Sequence, residues 1–121
     1  MVDLEGEPRR KRPAPTTQLT LRHYRKLGYA CDVAEYWNAF AGIRKDLFGF
    51  IDLCAVRKGE LLLIQTTSWS NVSSRRNKIA GLDAAGLLAS VPGVKIIIIG
   101  WRKNASGRWE FKSEAYVGTE A

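Results

Sequence analysis

The stretch Phe50 to Thr67, FIDLCAVRKGELLLIQTT, decides the fold. Two apolar runs flank Lys58-Gly59, and a two-residue reversal containing glycine joins antiparallel strands. The first run is expected as a strand over 50–57 and the second over 60–67. Each carries apolar residues on both sides: Ile51, Leu53 and Ala55 against Cys54 and Val56, then Leu62 and Ile64 against Leu61 and Leu63. A sheet buried on both faces calls for helices on both faces. Carrying an Arg57–Glu60 register down the ladder sets Asp52 opposite Gln65 and Phe50 opposite Thr67. Side-chain alternation then puts Asp52, Gln65 and Thr67 on one face, with directly opposed Cβ atoms roughly 5 Å apart. A buried carboxylate without a partner is costly. Asp52 alone reads as a structural acid, paired with Arg44 or Lys45 or accepting backbone hydrogen bonds. Asp52, Gln65 and Thr67 together read as a site.

Outward from this hairpin the pattern completes an α/β domain. Thr16 or Thr17 can cap a first helix, which Gly28 ends near Leu27. Residues 29–35 alternate as a strand, and 37–45 read as a loop or a short helical turn. After the polar loop 68–74, Ile79, Leu82 and Ala85 give a helical stripe over 75–89. Pro92-Gly93 breaks the chain, and 94–101, with four consecutive isoleucines, is a central strand. Asn104 to Gly107 is a turn, and 109–116 is a more exposed last strand.

The chain has 121 residues, enough for one domain, with 19 Lys and Arg against 12 Asp and Glu and a net charge of +7. Residues 1–15 read as a flexible basic tail around Arg9-Arg10-Lys11-Arg12, leaving 16–121 as a single domain. The charge excess favours a polyanionic partner. No apolar run is long enough to span a membrane, so no membrane partner is expected. The N-terminal residues are too polar for a secretory signal. Cys31 and Cys54 lie among apolar residues and read as free thiols in a reducing, cytoplasmic compartment. A lone His23 supports neither a Cys/His zinc site nor a serine-hydrolase triad. The glycines at 81, 86 and 93 do not have phosphate-loop spacing.

Gly49-Phe50-Ile51-Asp52, followed by Gln65-Thr66-Thr67 after the hairpin and by the Arg75-Arg76 helix, resembles the PD-(D/E)xK nuclease superfamily. The nearest likeness is to small Holliday-junction-resolvase-like and phage or bacterial nucleases. The likeness covers roughly residues 16–101. It implies a restriction-endonuclease-like αβββαβ core, a mixed sheet flanked by helices, with a Mg²⁺- or Mn²⁺-dependent DNA endonuclease activity. It implies Asp52 as a metal ligand, and a homodimer acting on double-stranded or branched DNA. The sequence departs from the pattern. Gln65 stands where the family has Glu, Thr67 where it has Lys, and the first helix lacks the family's glutamate. Glu35 and Asp46 are the carboxylates available to join Asp52 and Gln65 around a metal. Lys78, Lys45 or Arg75 would replace the missing lysine at the phosphate. Arg44, Lys45, Arg75, Arg76, Lys78 and the tail block 9–12 are candidate backbone contacts, with Trp69 a candidate stacking residue. Trp37, Trp101 and Trp109 fit packing or a subunit interface, with Tyr116 beside the last. Two other functions compete with cleavage: nucleic-acid binding on a nuclease fold, and a small structural or interaction module.

Overall fold

The computed structural model describes residues 14–118, so the block Arg9-Arg10-Lys11-Arg12 lies outside the described residues. The elements in chain order are α1 (Pro15–Lys26), β1 (Ala30–Val33), β2 (Tyr36–Asn38), β3 (Ile43–Lys45), β4 (Leu53–Arg57) and β5 (Glu60–Ser68). A 3-10 turn (Trp69–Asn71), α2 (Val72–Ala80), α3 (Asp83–Ala89), β6 (Val94–Lys103) and β7 (Trp109–Tyr116) complete the chain. Five strands form one mixed sheet in the order β1-β4-β5-β6-β7, and β2 pairs with β3 apart from it. β4 and β5 are antiparallel, joined at Lys58-Gly59 with Arg57 opposite Glu60 and Gly59 at φ +77°. β6 runs parallel to β5 after the α2–α3 crossover, and β7 closes the edge antiparallel to β6.

Helices cover both faces, as the doubly apolar strands require. On the α1 side, Tyr24 of the helix packs with Tyr29, Leu53, Leu62, Ile64, Ile99 and Trp101. On the other side, Val72 and Ile79 of α2 pack with Phe50, Ile51, Leu63, Ile96 and Ile98. The isoleucine run of β6 therefore feeds both layers, and each fully buried isoleucine contributes about 2 kcal/mol. The Trp101 Nε1–H donates to Thr20 Oγ1 at 2.9 Å, which in turn lies 3.1 Å from Thr66 Oγ1. That contact fixes Thr66 on the α1 face, and alternation places Gln65 and Thr67 on the α2/α3 face.

Gly100 lets the 3-10 turn lie against β6. A Cβ there would collide with the Val72 side chain and with the Trp69 backbone. Gly100→Ala is expected to cost about 2–3 kcal/mol by overpacking. A lowered denaturant midpoint would show it, and an unchanged midpoint would contradict it.

The structure corrects the expected elements at four places. Neither Thr16 nor Thr17 caps α1. Ala14 precedes it and Pro15 occupies the first turn, where a missing N–H costs nothing, while Thr17 is buried. The segment 37–45 is a β-hairpin, in which Asn38 Oδ1 accepts the Ala41 N–H at 3.0 Å. The expected helix over 75–89 is two helices. Gly81 ends α2, Leu82 is extended at φ −101°, ψ 124°, and Asp83 starts α3 with its charge in the first turn. The strand expected from Phe50 starts at Leu53. Before it the chain reverses through a Leu47–Ile51 bridge, with Phe48 at φ +54° and Gly49 at φ +81°.

This last correction changes the site. The β4–β5 ladder ends at Leu53 opposite Ile64. Asp52 is not paired with Gln65, nor Phe50 with Thr67, because the Asp52 N–H also bonds the Ile64 carbonyl, at 2.9 Å. Two residues thus face one, the mark of a β-bulge, and the chain bends at Asp52.

Candidate metal centre

Three segments deliver three carboxylates to one place. Glu35 follows β1, whose ladder to β4 extends to the Ala34 N–H on the Asp52 carbonyl at 2.8 Å. Asp46 follows β3 at the start of the 46–51 reversal, and Asp52 ends that reversal. Oxygens of Glu35, Asp46 and Asp52 all lie within 4.8 Å of one another, and each residue is half-buried. The bulge aims Asp52: its Oδ2 accepts the Thr66 N–H at 2.8 Å, standing in for the ladder partner that β4 no longer provides. Phe50 and Ile51, fully buried, anchor the reversal from below.

The electrostatics of the cluster are those of a site short of positive charge. Arg44 Nη1 bonds Glu35 Oε1 at 3.0 Å and offsets one carboxylate. The Asp52 carboxyl has its pKa pushed up to about 8, first by burial, then by its hydrogen bond with Asp46 and the Asp46 charge, with Glu35 adding a little. The Thr66 N–H opposes this without overcoming it. Near neutral pH the raised pKa favours the protonated form of Asp52 in the ion-free protein, hydrogen-bonded to Asp46. A divalent cation can displace that proton, since clustered carboxylates are hard oxygen donors of the kind Mg²⁺ and Mn²⁺ take.

Gln65 is 3 % exposed, and its Oε1 has no hydrogen-bond partner among the described residues. A buried acceptor left unsatisfied is uncommon. It is one residue from Thr66 and so next to the backbone that Asp52 grips. Thr67 is buried further along the same face. Lys45 is exposed on β3, directly before Asp46. On α2, Lys78 is exposed and Arg75 half-buried. Arg76 instead pairs with Glu114 on β7. β7 is three strands from β4, about 14 Å at ~4.8 Å per strand, so Arg76 is directed away from the acid cluster.

Trp69 does not stand free in its loop. The Arg102 guanidinium lies 3.7 Å from its ring centroid, and the Lys112 ammonium lies 5.2 Å from it. Arg102 and Lys112 are site residues that sequence reasoning misses. Their charge flanks the Asn104–Gly107 turn and is visible there, but their convergence on Trp69 depends on the β6–β7 register. Of the other tryptophans, Trp101 is buried, while Trp37 and Trp109 are 63 % and 42 % exposed. Tyr116 packs at the margin of the α2/α3 layer. Cys31 and Cys54 are free thiols in opposite layers of the sheet. No helix among the described residues is long and apolar enough to cross a membrane.

Comparison with family models, curated proteins and solved structures finds no match to this chain.

Proposed function

We propose that this chain is a metal-dependent endonuclease of the PD-(D/E)xK type, hydrolysing phosphodiester bonds of double-stranded or branched DNA. The observation that carries the proposal is the convergence of Glu35, Asp46 and Asp52 within 4.8 Å. The donor set fits a divalent cation: three carboxylates supply hard oxygens, and Gln65, whose Oε1 is buried with no hydrogen-bond partner among the described residues, precedes the Thr66 N–H that Asp52 accepts. Asp52, Asp46 and Glu35 would hold Mg²⁺ or Mn²⁺, with Gln65 assisting. A cation so held supplies an activated water and offsets charge on the phosphoryl group. Thr67 brings no positive charge, so its part is limited to orienting water through a hydrogen bond. Lys78, Lys45 or Arg75 would neutralise the scissile phosphate, and the net charge of +7 supports a polyanionic substrate.

The chain is further proposed to act as a homodimer, since twofold symmetry would set two sites on two strands. The exposed aromatic residues Tyr36, Trp37 and Phe40 of the β2–β3 hairpin offer apolar surface for such an interface, as does Trp109. The two free thiols suit a reducing compartment, here proposed as the cytoplasm.

Gln65 and Thr67 favour a second reading, a nuclease fold that binds nucleic acid without cutting. Cleavage of plasmid and four-way-junction DNA with Mg²⁺ or Mn²⁺ separates the two. Cleavage that falls roughly 100-fold or more in Asp52→Ala supports the endonuclease. Salt-dependent DNA binding with no cleavage at any metal concentration supports the second reading. Absence of both would leave a structural or interaction module.

A further inference from the structure

The cations around Trp69 form a surface apart from the acid cluster. Arg102 and Lys112 rise from the α2/α3 face of neighbouring strands, Lys112 directly across from Gly100 and Arg102 two residues beyond it. Two like charges drawn to one indole repel each other, and the negative ring face offsets that repulsion and holds them in place. On the opposite, α1 face the next pair repeats the motif, the Lys103 ammonium lying 5.4 Å from the ring centroid of Trp109, its cross-strand partner. Arg108 is exposed in the adjoining turn. Against Arg102, Lys112 and Arg108 stands Glu110, bonded to Arg102 at 2.6 Å. No ion pair holds Lys103, Arg108 or Lys112 among the described residues. Ordered cations in excess of carboxylates are a site for anions.

The surface and the acid cluster share one end of the sheet. Asp52 grips the Thr66 N–H, and Trp69 follows three residues later, about 10 Å along an extended chain. This is the carboxyl end of the parallel pair β5–β6, the end at which open α/β sheets take ligands. A carboxylate cluster repels a phosphodiester, so a polynucleotide that reaches it must be held by cations nearby.

We infer that Trp69, Arg102 and Lys112, extended by Arg108 in the adjoining turn, form a clamp for the phosphate backbone of a nucleic acid strand. The inference rests on the nuclease reading above and names the surface that presents its substrate. Trp69 positions the two cations, and the cations bind phosphate. Contacts of this kind carry no base information, so binding is independent of sequence.

The test uses the full chain and a fluorescein-labelled oligonucleotide, as single strand and as duplex, with anisotropy read in EDTA across a salt series. Arg102→Ala combined with Lys112→Ala is expected to weaken binding at least 10-fold. It should also lower the slope of log affinity against log salt by about 2. The charge-keeping pair Arg102→Lys and Lys112→Arg, with an unchanged melting curve, should bind within about 3-fold of the parent. Undiminished binding by the double alanine variant overturns the clamp. So does a larger loss from Arg22→Ala with Lys26→Ala on α1, or binding only to phosphatidylserine vesicles. Because EDTA removes the cation, this readout is separate from cleavage: clamp-dependent binding with no Mg²⁺-dependent cutting would sink the nuclease reading alone.

Discussion

Asp52→Asn is expected to stabilise the ion-free protein at pH 8 while removing its affinity for divalent cations. Asp52 is pushed up to about 8 by burial and by Asp46, whereas an unfolded aspartate titrates near 4. The folded state therefore holds a proton that the unfolded state has lost between these values. The Asp52 contribution to stability is greatest below pH 4, declines as pH rises, and is lost above pH 8. Asparagine has no charge to bury. Its amide can donate to Asp46 as the protonated acid does, and its oxygen can accept the Thr66 N–H. Partial exposure and the Thr66 N–H, which favours the ionised form, reduce the ideal effect to about 2 kcal/mol at pH 8, several degrees in Tm. Thermal melts from pH 4 to 9 in EDTA should slope downward for the parent and run flatter for Asp52→Asn. Mg²⁺ or Mn²⁺ should raise the melting temperature of the parent at pH 8 and leave the variant unmoved. A variant less stable than the parent at pH 8 would mean that the ionised carboxylate is structural, and the metal centre would be abandoned.

Phe50→Ala should have the largest effect on stability and should reach the site as well. Phe50 is fully buried in the α2/α3 layer, immediately after the left-handed pair Phe48 and Gly49. Removing its ring costs about 3–5 kcal/mol. It also loosens the reversal that brings Asp46 back to Asp52, so cation affinity should fall even where the protein remains folded. Phe48, 55 % exposed, provides the contrast: Phe48→Ala should change stability by only about 0.5 kcal/mol. Urea midpoints and calorimetric titration with Mn²⁺ would measure both. Equal effects at the two positions would contradict the role given to Phe50.

What could be read from the chain depended on the range of the interaction involved. The Lys58-Gly59 reversal and its register follow from local turn chemistry, and the isoleucines of β6 announce a strand buried on both faces. The presence of carboxylates at 35, 46 and 52 was visible, and so was their availability as ligands. Their meeting was harder to see, because it depends on a bulge. An extra residue at Asp52 is invisible to an alternation count, which carries the ladder straight on and sets Asp52 across from Gln65. The break between α2 and α3 was hidden for a similar reason. Leu82 keeps the helical spacing of apolar residues while its backbone is extended. The pairing of Arg76 with Glu114 and the gathering of cations on Trp69 are long-range contacts set by strand order, which periodicity does not encode.

All three carboxylates come from the chain between residues 35 and 52, the same span that carries the exposed ribbon of Tyr36, Trp37 and Phe40. Its two ends meet at the cluster, so a cation seated there would act as a clasp across the neck of a loop. Chymotrypsin would then report on the ion: the ribbon's aromatic bonds should be cut readily in chelator and more slowly with Mn²⁺.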